Sequence, residues 1–176
     1  MKIQILNSMK LSTILFLLLI FAEPMLAQDI DFKKLEVNGQ SICSSKSLIL
    51  EKFGEPIEIT NPDYECGFLS SAEQMKEFES MVYKDIVFTG NREADYILAE
   101  FKFNSDIYTL NYGGVDLDKE TTIEKLQEIF GKFDDKYSSD QSIYIFIPNL
   151  DKMQGDGYLF QFKKGKLVLI EYWSRC

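Results

Sequence analysis

The chain has 176 residues, 45% of them hydrophobic, which is long enough for one domain with a proper core. Its 19 basic and 28 acidic residues leave a net charge of −9, which disfavours nucleic acid and anionic membrane surfaces and leaves a basic protein partner open. It contains no histidine, so Ser-His-Asp and Cys-His nucleophile systems and imidazole zinc sites are excluded.

Residues 1–27 read as a secretory signal. Lys2 and Lys10 supply the positive start, Ile14 to Ala22 the apolar middle, and Met25-Leu26-Ala27 a cleavage point ending on a small residue. The apolar run is shorter than the roughly 20 residues a spanning helix needs. A retained anchor is the competing reading. No cysteine closely follows the run, so lipid attachment is not expected. The mature chain then runs over 28–176 as a single domain, periplasmic or secreted, without an integral membrane segment. Losing Lys2, Lys10 and Glu23 makes it one unit more acidic.

Along the mature chain, Leu35 to Ile42 alternates around Asn38-Gly39, the strongest short hairpin signal. Ser44, Ser45 and Ser47 offer caps for a helix carrying Leu48, Ile49 and Phe53, stopped by Gly54-Glu55-Pro56. Tyr64 to Phe68 reads as a strand. Ser70-Ser71-Ala72-Glu73 is a capping box ahead of a short helix faced by Met75, Phe78 and Met81. Val82 to Phe88 reads as a further strand, and Phe101-Lys102-Phe103 with Leu110-Asn111-Tyr112 as a hairpin.

The same plan returns after Gly113-Gly114. Thr121 to Glu124 is a capping box, Ile123, Leu126, Ile129 and Phe130 share a helical face, and Gly131 closes the helix. Tyr144 to Ile147 reads as a buried strand, Gly155-Asp156-Gly157 as a turn, and Tyr158 to Phe162 with Leu167 to Trp173 as a hairpin over Lys163 to Lys166. Two diverged repeats, about 35–114 and 115–176, are therefore expected. The fold class is α+β: antiparallel sheets with short helices packed on one face.

The three cysteines, Cys43, Cys66 and Cys176, allow at most one internal disulfide. Cys43–Cys66 is favoured because it ties the start of a helix to the following strand. Its loop of about 24 residues would stabilise the fold by roughly 3 kcal/mol. Pairing Cys176 with either of the others would fasten the C-terminal strand instead.

Phe53-Gly54-Glu55-Pro56, Phe130-Gly131 and the hairpins at 101–112 and 160–172 resemble the helix-plus-sheet unit of the beta-lactamase inhibitory protein and of BamE-like outer-membrane assembly lipoproteins. That resemblance implies tandem sheets, a concave face that grips a partner, and a helix-to-strand bridge that Cys43 and Cys66 can match. The lipidated cysteine of the BamE-like proteins has no counterpart here.

Aromatic residues are abundant, with 14 Phe, 9 Tyr and one Trp. Most Phe residues at alternate strand positions are core. Tyr and Trp also serve interfaces, and Tyr108, Tyr112, Tyr144, Tyr158, Tyr172 and Trp173 lie on or near the predicted sheets as candidate binding residues. Asp116-Leu117-Asp118-Lys119-Glu120 lacks the glycine and distal Glu of an EF-hand and is explained as acidic residues ahead of a helix. No catalytic residue, metal ligand or cofactor is assigned. The expectation is an exported non-enzymatic binding protein with a protein partner, as an inhibitor, immunity-type protein or envelope adaptor. A carboxylate-dependent hydrolase or small-ligand carrier is the alternative.

Overall fold

The computed structural model describes residues 30–174, except 63, 68, 134, 135, 140 and 150–154. The signal reading and Cys176 lie outside the described residues. In chain order the elements are β1 (Leu35–Val37), β2 (Gln40–Ser41), β3 (Cys43–Ser44), α1 (Lys46–Phe53), β4 (Glu58–Thr60), α2 (Ser71–Gln74), β5 (Glu79–Val82), β6 (Ile86–Gly90), β7 (Tyr96–Lys102), β8 (Leu110–Tyr112) and β9 (Val115–Leu117). Then come α3 (Ile123–Phe130), β10 (Lys136–Ser139), β11 (Ser142–Pro148), β12 (Asp156–Lys163) and β13 (Lys166–Ser174).

The strands form two antiparallel sheets. The larger has the order β10-β11-β12-β13-β7-β6-β5-β4, with β3 also pairing β7, and the smaller is β2-β1-β8-β9. Two of the tight turns use consecutive left-handed residues: Asn38 (φ 51°) and Gly39 (φ 76°), and Lys164 (φ 52°) and Gly165 (φ 79°). That is the conformation a two-residue hairpin needs to match strand twist. The α+β class with antiparallel sheets is as read from the sequence.

Both longer helices end alike. The amides of Gly54 and Gly131 return to the carbonyls of Leu50 and Gln127, each at 2.8 Å. The cap of α3 sits one residue later than the sequence pattern implied. Thr122 Oγ1 accepts from the Lys125 amide at 3.3 Å, while Thr121 Oγ1 accepts from the Asp118 amide at 2.9 Å. Asp118 and Asp116 are occupied with local hydrogen bonds to Thr121, Glu120 and Asn111.

The core lies on one face of the large sheet, where Ile86, Phe88, Phe101, Ile145, Phe160, Phe162, Ile170 and Tyr172 are buried. Phe53 of α1 packs 5.4 Å from Phe88 and 5.9 Å from Tyr83. Phe130 of α3 lies 5.9 Å from Phe160 and 4.6 Å from Tyr112 of the small sheet. This one ring therefore couples helix, large sheet and small sheet.

Several expectations change. The 101–112 hairpin does not form: β7 pairs with β6 and β13, while β8 pairs with β1 and β9. Buried Asp85 accepts from Asn104 Nδ2 at 3.3 Å and from the Ser105 hydroxyl, and this turns the chain away from β7. Leu110 then pairs with Val37 and Tyr112 with Leu35, where β1 offers an apolar partner. The strand plan of the second half is consequently not that of the first, and two repeated units are not shown.

The helix after Ser70 is also shorter than read. Ser70 Oγ does accept from the Glu73 amide, but α2 stops at Gln74, Met75 is left-handed (φ 51°), and Met81 belongs to β5. The stretch Val82 to Phe88 is divided between β5 and β6, and Tyr64 lies on a loop. Phe68 is outside the described residues. Cys43 carries a free thiol, so the Cys43–Cys66 bridge is not made. Cys43 instead sits opposite Ile97 on β7.

Candidate docking face on the outer side of the large sheet

Successive strand side chains point to opposite faces, so register divides the six candidate aromatics. Tyr158 and Tyr172 are cross-strand partners facing the core. The Tyr158 hydroxyl donates to the Leu98 carbonyl at 2.6 Å, and burial pushes it well above the ordinary tyrosine range. The Tyr172 hydroxyl donates to Asp156 Oδ2 at 3.3 Å and is also pushed up, first by burial and then by the Asp156 charge. Tyr112 is buried against Phe130, and its hydroxyl accepts from the Asp31 amide at 3.2 Å. Tyr108 is half-buried with its ring edge-on to Phe53 at 5.9 Å. These four are core or core-edge residues. Only Tyr144 and Trp173 face outward.

The outward face is built in rows running across the strands. One row is Tyr137, Tyr144, Gln161, Leu169 and Lys102, from β10 to β7. The next is Phe146, Leu159, Glu171 and Glu100. Trp173 stands beside Gly157 in a third. The Tyr137 and Tyr144 rings stack at 4.8 Å with 6° between planes. Gln161 Nε2 donates to Tyr144 Oη at 2.9 Å and to Ser142 Oγ at 3.1 Å, which holds that ring along the sheet.

Phe146 lies over Gly157, where a Cβ would come within 2.7 Å of its ring atoms, and Trp173 meets Phe146 edge-on at 5.1 Å. Tyr137 remains 52% exposed and Trp173 40%. At ordinary strand spacing, β10 to β13 present a surface about 15–20 Å across.

One border of this surface is the loop that follows β4. Gly67 comes so close to Ser174 that a Cβ would fall 2.3 Å from its hydroxyl oxygen. Tyr64 on the same loop is pushed up to about 12, first by burial and then by the charges of Glu171 and Glu100. Those two carboxylates stand directly opposite in register, and Lys102 Nζ is 2.6 Å from Glu100. Glu171 is held above the ordinary carboxylate range by burial and by Glu100, with Lys102 opposing.

As pH rises through the ordinary carboxylate range, the unfolded chain releases the Glu171 proton before the folded chain does. The folded state then loses stability, fully so above the raised value. Glu171→Gln is therefore expected to raise Tm at pH 7 and to leave it unchanged below about pH 4, which thermal melts across that window will check.

Elsewhere, a cavity of about 560 Å³ is bordered by Lys76, Glu79, Asn91 and Arg92. Glu79 there is bonded to Lys46 and to the Tyr96 hydroxyl, and these bonds lower its pKa. It is therefore poised as a fixed anion rather than as a general acid. Glu100 and Glu171, carboxylates opposite one another in register, lie on the open sheet face. Among the described residues no group of three or more acidic or cysteine side chains is placed to hold a metal ion.

Sequence reading missed Tyr137, Phe146, Glu171, Glu100 and Tyr64 as members of this face. For two of them a signal was present. Counting back by twos from Trp173 reaches Glu171, and counting by twos from Tyr144 reaches Phe146. Compared with family models, curated proteins and solved structures, the chain matches none.

Proposed function

We propose that this is an exported, non-enzymatic binding protein that docks a protein partner on the outer face of β10 to β13. The observation that carries the reading is the exposure of Trp173 and of Tyr137, the latter stacked on half-buried Tyr144, on a sheet face whose opposite side is filled with core. Interface hot spots are rich in Trp and Tyr because each contributes a large, stiff contact area. Those rings are held by Gln161 and Phe146 before any partner arrives, which lowers the ordering cost of association. Trp173→Ala or Tyr144→Ala is expected to weaken the complex by about 30-fold or more, about 2 kcal/mol, while leaving circular dichroism unchanged. Undiminished binding by both variants would sink the reading.

Export rests on the leader at 1–27, and N-terminal sequencing of the mature protein should begin at Gln28. An oxidising compartment also fits a disulfide between Cys66 and Cys176, the pairing left once Cys43 is free. The contact of Gly67 with Ser174 brings the Cys66 loop to the end of β13. Peptide mapping of the unreduced protein should recover Cys66 linked to Cys176 and Cys43 alone. Although Cys43 is exposed, loss of hydration around its thiol and the Asp95 charge raise its pKa, so its alkylation should be slower at neutral pH than that of a free cysteine.

A further inference from the structure

Resting on the docking reading above, we infer that the segment bound on the outer face is basic, with an arginine or lysine side chain seated between the Tyr137–Tyr144 ring pair and the Glu171 carboxylate. The ionic groups at the centre of the face are Glu171, Glu100 and Lys102. Lys102 is bonded to Glu100 at 2.6 Å, which leaves Glu171 as the excess charge. Glu171 is flanked by Leu159 on one strand and Glu100 on the other, so its nearest cross-strand neighbours supply no cation.

An anionic or purely apolar segment laid over these strands would bury Glu171 beside a like charge, opposed only by Lys102, which is already bonded to Glu100. That carries a penalty of several kcal/mol in general. A guanidinium or ammonium removes the penalty. The rings complete the site, because aromatic faces attract cations within about 6 Å. Tyr144 and Glu171 stand two strands apart in neighbouring rows of the face, with Gln161 and Leu159 on the strand between them, and the Glu171 charge is among the causes that raise the Tyr137 pKa. At long range the net charge of −9 draws a basic partner and repels an acidic one.

The test uses the whole mature protein titrated with fluorescent nona-arginine and, separately, nona-glutamate. Nona-arginine is expected to bind and nona-glutamate not to bind. Glu171→Gln and Tyr144→Ala should each weaken nona-arginine by about tenfold. Glu128→Gln, which removes the same charge from the α3 surface, should change it less than about twofold.

Equal losses for Glu171→Gln and Glu128→Gln would show attraction to net charge alone and overturn the assignment. Absence of nona-arginine binding would do the same. If a cellular protein still cross-links to the face at Trp173 while nona-arginine shows no dependence on Glu171, the basic class is wrong and the docking reading survives. A dimer in sedimentation that Trp173→Ala abolishes would give the face to a second copy, again against a basic segment.

Discussion

Phe130→Ala is expected to cost about 3–5 kcal/mol, the range for removing a fully buried aromatic side chain. The ring is 1% exposed and lies between Tyr112 of the small sheet and Phe160 of the large one. Neither neighbour can close the gap easily. Tyr112 is fixed by pairing with β1 and by the Asp31 amide, and Phe160 is held in strands paired on both sides. For a domain of this size such a loss lowers Tm by about 10 °C. Urea unfolding will measure it, and Phe130→Leu should recover about half of the difference because it restores most of the volume. A cost below about 1 kcal/mol would mean that the two sheets are not joined through this residue.

The second large effect is expected at Gly157. A Cβ there would stand 2.3 Å from the Ile147 carbonyl oxygen and 2.7 Å from the Phe146 ring. The carbonyl belongs to β11, which is paired with β10 on one side and β12 on the other, so it cannot swing aside. Gly157→Ala should therefore cost about 2–3 kcal/mol by overpacking and lift Phe146 away from the sheet. Because Trp173 rests against Phe146, its fluorescence should shift in the folded state. Gly155→Ala is the control: its φ is +64° but no atom lies within 4 Å of the new Cβ. It should cost about 1 kcal/mol from backbone conformation alone, without the fluorescence change.

How much of this architecture is legible in the sequence depends on whether local chemistry decides it. Asn38-Gly39, the Phe-Gly helix ends and the turn at Lys164-Gly165 are settled by left-handed residues within a few positions, and they are read correctly. The strands around Phe101 and Leu110 are not, because both sequences suit a hairpin with each other. The decision is made by Asp85, which holds Asn104 and Ser105 from a distant turn, and by the apolar edge of β1. Non-local competition of that kind leaves no local trace.

The candidate face has the same history. Tyr158 and Tyr144 look equivalent as aromatic strand residues, yet the register of β11 against β12 turns one into the core and the other outward. A one-residue difference in phase reverses the assignment, and phase is visible only once one residue's side is known. With Trp173 placed outside, Glu171 and Leu169 follow by alternation. Tyr137 and Tyr64 do not, because each depends on how an edge strand or a loop returns to the sheet.

The most direct measurement places a photo-activatable phenylalanine derivative at Trp173, on the outer face, and separately at Glu128, on the helical side, and irradiates cells producing each full-length chain. The account predicts a discrete protein adduct from position 173, lost when Tyr144 is also changed to Ala, and none from position 128. Equal labelling at the two positions, or an adduct from 128 only, would contradict it.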